Sequence, residues 1–246
     1  MAGHSHSANI AHRKGAVDAK RGKLFSKLCR KIFVAAKNGG ADPDANLPLR
    51  YAIDKARSYS CPKDNIERSI KKATGELGAE NFEEMTYEGY GPGGVAVLCE
   101  VLTDNRNRTA GELRKAFEVC GGNLGSSGCV SYLFEFKGLF VIDTKQMAEE
   151  PLMELVLEAG ADDLEHIDDY FEVKCDPKAF DAVKKALEGA GIATEVAETT
   201  YLPANTMALD PEASRKMLRL RDLLDENEDV QNVYDNAEIP DELVSA

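Results

Sequence analysis

Tryptophan is absent from this chain, and aromatic residues together reach only 7%. No aromatic motif of the kind that stacks RNA bases on a sheet is visible, and no zinc-finger or basic-zipper pattern either. No apolar run approaches the ~18 residues that a membrane-spanning helix needs. The opening Met1-Ala2-Gly3-His4-Ser5-His6-Ser7 lacks the apolar stretch of a secretory signal, and its second residue is not the glycine that myristoylation requires. The expectation is a cytoplasmic chain with no membrane role. C-x-x-C is missing as well, which speaks against a zinc ribbon or a thioredoxin-like site. The six cysteines, Cys29, Cys61, Cys99, Cys120, Cys129 and Cys175, are expected to be reduced thiols acting as small hydrophobes, in keeping with a cytoplasmic location.

Catalytic signals are equally sparse. There is no Gly-x-Ser-x-Gly elbow, and only four histidines are present. His4, His6 and His12 lie near the start with no neighbouring cysteine or carboxylate to complete a metal site, and His166 sits in an acidic stretch. Paired carboxylates such as Asp162-Asp163 and Asp168-Asp169 read as solvated turns, and calcium-loop spacing is not met. Gly89-Tyr90-Gly91-Pro92-Gly93-Gly94 superficially suggests a phosphate loop. Such a loop needs a strand before it and a helix after it, whereas here a strand follows and a loop precedes, and Pro92 lacks an amide donor. A structural turn is therefore expected there. Gly121 to Gly128 is expected to end a helix and form an exposed loop that offers a contact surface. Together these features predict no enzyme, no metal and no cofactor.

What the chain does have is a steep charge asymmetry. The overall net charge is −13, yet residues 1–75 hold 16 Lys and Arg against 6 Asp and Glu, a net of +10, and the remainder carries −23. A basic segment attracts phosphate, and an acidic one is repelled by it. Within the basic part, Asp18 can cap a helix that runs to about Lys37 and stops at Asn38-Gly39-Gly40. Leu24, Phe25, Leu28, Cys29, Ile32, Ala35 and Ala36 fall on one face of it, and Lys20, Lys23, Lys27, Arg30 and Lys31 on the other, with Arg21 off that row. A second helix spans about Asn46 to Ser58. A third starts at Pro62 and ends before Gly75, with Ile66 and Ile70 inward and Lys63, Arg68, Lys71 and Lys72 left for solvent or a partner. Three short amphipathic helices make a small bundle.

Beyond residue 80 the periodicity changes. Val95 to Leu102 reads as a strand, Arg106 to Val119 as a helix, and Val130 to Phe136 as a strand. Leu139–Asp143, Met147–Ala159, Leu164–Ile167, Tyr170–Cys175, Pro177–Leu187 and Ile192–Ala197 then give a complete β-α-β-β-α-β module of ferredoxin-like type. An extended stretch Thr200–Ala208, a helix Pro211–Leu224 and a strand Val230–Tyr234 follow. Each flanking half alone would hold a two-stranded sheet, which is marginally stable. The expected organisation is thus α+β: a basic helical domain 1–80, a discontinuous α/β domain 81–136 plus 200–246, and an inserted ferredoxin-like domain 137–199.

These residues resemble the YebC/PmpR family, which includes the mitochondrial translational activator of cytochrome c oxidase. The resemblance is carried by Met1-Ala2-Gly3-His4-Ser5, Asn9-Ile10, His12-Arg13-Lys14, Arg21-Gly22-Lys23 and Phe25-Ser26-Lys27-Leu28. It continues through Pro62 to Arg68, Tyr87 to Gly94, Gly121-Gly122-Asn123-Leu124-Gly125 and, most specifically, Thr103-Asp104-Asn105-Arg106-Asn107-Arg108-Thr109. Where family members carry lysine then tryptophan after His4-Ser5, this chain has His6 and Ser7. The resemblance implies a helical N-terminal domain with two α/β domains, and either DNA-binding transcriptional regulation or translation-factor activity at the ribosome. The nucleic-acid-binding residues expected are His4, Asn9, His12, Arg13, Lys14, Lys20, Arg21, Lys23, Lys27, Arg30, Lys31, Lys63, Arg68, Lys71 and Lys72. The expected partner is DNA, with ribosomal RNA or transfer RNA as the alternative and a protein-interaction adaptor as a third reading.

Overall fold

The computed structural model describes residues 21–76 and 82–244. Its chain has an α+β architecture: a three-helix bundle followed by two sheet domains, the second inserted into the chain of the first. By contact, the described residues form two compact units, 21–130 with 215–235 and 131–214 with 236–244. No helix among them is long and apolar enough to cross a membrane. The helix start expected at Asp18 lies outside the described residues.

The first unit opens with α1 (Arg21–Gly39), α2 (Leu47–Ser58) and α3 (Lys63–Ala73). Leu28, Ile32 and Ala36 of α1 bury against Leu49, Ile53 and Ala56 of α2 and Ile66 of α3, forming the bundle core. Asn46 fixes the α1–α2 corner. Its side-chain oxygen caps α2 by accepting from the Leu49 amide at 3.1 Å, while its Nδ2 donates to the carbonyls of Ala35 and Gly40 at 2.8 and 2.7 Å. One buried amide thus satisfies groups that two helix ends would leave orphaned. Gly39 has to be small, because a Cβ there would stand 2.6 Å from the Asn46 side chain.

The sheet of this unit runs β3-β1-β2-β9, built from β1 (Glu83–Tyr90), β2 (Ala96–Thr103), β3 (Asn123–Leu124) and β9 (Val230–Asp235). Strand β1 is missing from the sequence expectation: Met85 and Tyr87 alternate with Glu84, Thr86 and Glu88, but the run carries three glutamates, a residue depleted in strands. It makes a full antiparallel hairpin with β2. The Gly-rich segment 89–94 therefore follows a strand, which corrects the loop expected there. It closes the hairpin as a turn, with Gly93 and Gly94 at φ 76° and 86°, a region that glycine enters without strain. Helix α4 (Arg106–Val119) buries Leu113 and Phe117 against the sheet. Val230–Asp235 joins β2 across more than 100 intervening residues, returned there by α7 (Pro211–Glu226).

The second unit carries a sheet in the order β5-β6-β4-β7, antiparallel throughout, which is the ferredoxin-like arrangement. Its strands are β4 (Phe134–Asp143), β5 (Ala161–Ile167), β6 (Tyr170–Cys175) and β7 (Val196–Pro203). Helices α5 (Glu149–Glu158) and α6 (Phe180–Gly189) pack Leu152, Val156, Val183 and Leu187 on Phe140, Ile142 and Val173. Two strand assignments are corrected. Val130–Phe136 is not a strand of the first sheet: Ser131–Leu133 is a 3-10 turn, and Phe134 begins a ten-residue strand of this second sheet. Gly138 does not break that strand, being paired with Cys175 on one side and Thr199 on the other, and it has to be small because a Cβ there would meet the Cys175 sulfur at 2.5 Å. Likewise Thr200 to Pro203 continues β7 along β4 rather than starting a new element. A short parallel pair, β8 (Met207–Ala208) with β10 (Ala237–Glu238), and helix α8 (Asp241–Val244) complete the unit.

Candidate nucleic-acid interface

Helix α1 has two buried faces. Besides the bundle stripe, Phe33 and Val34 pack with Leu102 of β2, with Phe82 alongside and its ring 5.4 Å from that of Phe33, edge to face. The row of cations expected to face solvent therefore divides. Lys23 is exposed at the start of α1. Lys27 and Lys31, expected in the open, are half-buried, and Lys27 donates to the Asp225 carbonyl at 2.8 Å. Arg30, its side chain 18% exposed, turns inward. Its Nη1 donates to the Asp229 carboxylate and to the Glu228 carbonyl, both at 2.6 Å, and its guanidinium lies 5.3 Å from the centre of the Phe82 ring.

Asp229 is the hub of this contact. It is 3% exposed, between α7 and β9. One carboxylate oxygen takes Arg30. The other takes Arg108 Nη2 at 2.7 Å, with the hydroxyls of Thr109 and Thr103 at 2.7 and 3.1 Å. Burial alone would raise its pKa, but the hydrogen bonds from Arg108 and Thr109 and the charge of Arg30 outweigh that and hold it below the ordinary aspartate range. Arg108 also donates to Asp104 at 2.8 Å, and its pKa is raised chiefly by its bonds to Asp229 and Asp104. Asn105 caps α4 by accepting from the Arg108 amide at 3.1 Å. The block Thr103 to Thr109 is thus a structural clamp that starts α4 and fastens β2, α4 and α1 to one buried carboxylate.

Around this clamp lies a cleft of about 970 Å³, walled by α1 and α3 of the bundle and by α4 and the end of α7. Lys23, Arg30, Lys72, Arg108, Lys115 and Arg219 line it, with the carboxylates of Asp104, Glu112, Glu226, Glu228 and Asp229. Every one of those carboxylates already has a partner within the chain: Asp104 and Asp229 hold Arg108, Glu228 holds Arg30, Glu112 accepts from Asn227 at 2.7 Å, and Glu226 is also engaged. Lys23, Lys115 and Arg219 are exposed and have no ion-pair partner among the described residues.

The other expected residues place as follows. On α3, Arg68 and Lys71 are exposed, Lys72 is half-buried at the cleft, and Lys63 is exposed with its ammonium 3.4 Å from Glu67. Arg21 heads α1. His4, Asn9, His12, Arg13, Lys14 and Lys20 lie outside the described residues. Lys115 and Arg219 escaped the sequence reading because they belong to the strongly acidic part of the chain, where composition hides them. Only the close approach of α4 and α7 to the bundle brings them beside Lys23.

The second glycine-rich segment is also held in place. The Glu88 carboxylate, buried in β1, accepts from the amides of Gly128 and Val130 at 2.7 and 2.8 Å, and the Tyr90 hydroxyl donates to the Cys129 carbonyl at 3.0 Å. In the second unit His166 is exposed, 3.5 Å from Glu149. Among the described residues no cluster of His, Cys, Asp and Glu could hold a metal ion.

Comparison with known proteins agrees across the chain. Residues 5–76 match the TACO1/YebC protein N-terminal domain, and residues 82–237 match the TACO1/YebC second and third domain. A "Probable transcriptional regulatory protein" of Desulfatibacillum aliphaticivorans is 53% identical over 244 residues, covering 99% of each chain. A protein of the same description from Rhodopirellula baltica is 55% identical over 246 residues, covering 100% of both. The crystal structure of a conserved hypothetical protein from Aquifex aeolicus matches with a TM-score of 0.79 at 48% identity, covering 91% of this chain and 93% of that one. The chain belongs to the TACO1/YebC family.

Proposed function

We propose that this protein is a regulator of gene expression that binds nucleic acid through its helical bundle, and that it acts as a DNA-binding transcriptional regulator without catalysing a reaction. The observation that carries this reading is the cation surplus of the bundle. Residues 21–76 hold 13 Lys and Arg against 6 Asp and Glu, and Lys23, Arg68 and Lys71 are exposed with no ion-pair partner among the described residues. Cations so placed release counterions when they meet a phosphate backbone, and they position the protein without reading bases. The names of the relatives, probable transcriptional regulatory proteins, support the regulatory role. The cleft carboxylates are held in ion pairs and hydrogen bonds, which suits clamps better than acids or bases awaiting a substrate.

The test is a duplex gel-shift titrated with salt, on wild type and on an Arg68→Glu/Lys71→Glu variant. Preference for a particular promoter, a steep negative salt slope and weaker binding by the variant support the reading. Equal weak binding to every duplex counts against it. Co-sedimentation with ribosomes, lost in the same variant, would instead favour a translation factor that binds ribosomal or transfer RNA. Function that survives the charge reversal would favour a protein adaptor.

A further inference from the structure

We propose that the cleft between the bundle and the first sheet domain is a binding site for an unpaired strand of nucleic acid, distinct from the duplex-facing Arg68 and Lys71 and sharing only Lys23 with the bundle's exposed cations. This rests on the nucleic-acid reading above and extends it to a site whose decisive cations, Lys115 and Arg219, lie outside the bundle. Three observations carry it. Charge is the first: Asp104, Glu228 and Asp229 are already paired with arginines of the chain, whereas Lys23, Lys115 and Arg219 stand exposed in the cleft lining from three different helices. An added polyanion finds cations there that no ion pair among the described residues has claimed. Shape is the second. A duplex presents a convex backbone that lies across exposed helices, but only a strand with splayed bases can enter a concave space of about 970 Å³. Chemistry is the third. Val119 is 52% exposed, and together with half-buried Leu223 and the part of half-buried Phe82 left beside Phe33 and Arg30 it gives the cleft an apolar wall between its cations. Cations that track phosphates beside apolar and aromatic surface that receives bases are the combination by which proteins hold single strands without sequence preference.

Arg30 and Arg108 do not contribute to this binding directly. Both are committed to Asp229, and their role is to hold the cleft walls in register.

The experiment is fluorescence anisotropy with labelled oligouridine, labelled oligothymidine and a mixed-sequence duplex of equal length, at fixed salt. The full-length protein is compared with a Lys115→Glu/Arg219→Glu variant and with the milder Lys115→Gln/Arg219→Gln. Both positions are exposed, so the fold should persist, and a circular-dichroism melt of each variant checks that it does. The expected result is a loss of roughly tenfold or more for both single strands in the Glu variant, a smaller loss in the Gln variant, and duplex affinity within about twofold of wild type. Single strands bound as tightly by both variants as by wild type would overturn the proposal, as would single-strand and duplex binding that weaken in parallel. An Arg68→Glu/Lys71→Glu variant separates the two ideas. If it leaves duplex binding intact, the bundle reading fails; if Lys115→Glu/Arg219→Glu leaves single-strand binding intact, the cleft reading fails.

Discussion

A single carboxylate, Asp229, decides how the described N-terminal helices meet the sheet that follows them. Its two oxygens satisfy guanidinium groups from α1 and α4, at a site buried on the carboxylate side and partly open on the arginine side. Removing one partner of such an arrangement leaves charge without compensation. Asp229→Asn should destabilise the protein by about 2–4 kcal/mol, discounted from a fully buried pair because Arg108 stays partly in solvent. Chemical denaturation monitored by circular dichroism measures this, and an unchanged midpoint would remove the hub role. The pH dependence has a definite sign. A carboxylate whose folded pKa is depressed stabilises the fold above its unfolded value, and that stabilisation is lost as pH falls through the folded value. Wild-type stability should therefore decline below about pH 4, the ordinary aspartate range, and the Asn variant should decline less steeply there. Arg221 and Asp235 form a second buried pair, bidentate at 2.6 and 2.8 Å, and Arg221→Met alone should be costlier than Arg221→Met with Asp235→Leu.

At the level of elements, α1 is the piece whose role the sequence understated. Its spacing of Leu28, Ile32 and Ala36 announces one buried face, and the structure buries that face. Phe33 and Val34 lie off the stripe, and from the bundle small Ala73 of α3 packs against them. Leu102 and Phe82 do so, from the sheet and the segment leading to it. Phe33→Ala should cost about 3 kcal/mol or more, as expected when a buried aromatic leaves a cavity. If denaturation shows a loss under about 1 kcal/mol, α1 does not depend on that second contact. The α1–α2 corner gives a second test. Asn46→Ala removes a helix cap worth about 1–2 kcal/mol and leaves the Ala35 and Gly40 carbonyls without their donor, so its midpoint should fall further than that of an exposed substitution such as Lys71→Ala. The strand misassignments share one cause. Alternation shows that a segment is extended but not which sheet it joins, and β4 runs unbroken into residues that pattern alone divided in two.

For the whole molecule, the governing feature is that surplus positive charge gathers early in the chain while most of the remainder is acidic. Binding to any nucleic acid should weaken steeply with salt, with a slope near the number of phosphates neutralised. Raising salt in the gel-shift should show this, and the Arg68→Glu/Lys71→Glu variant should have a shallower slope than wild type. A slope near zero would mean that the exposed cations do not meet phosphate.

Local pattern along the chain suffices for the helical bundle, because period-3.6 apolar spacing and cap residues act within a few positions. The residues also set the sign of each segment's charge, which is plain arithmetic, and the family, through motifs such as Thr103 to Thr109. Which cations face outward and which lock the fold is settled by long-range packing. Arg30 and Lys23 look alike on a helix wheel, and they separate because Asp229, 199 positions from Arg30, arrives beside one and not the other. The same long-range folding turned a family motif into a clamp and brought Lys115 and Arg219 to the cleft. Such contacts depend on residues distant in sequence, and no local pattern encodes them.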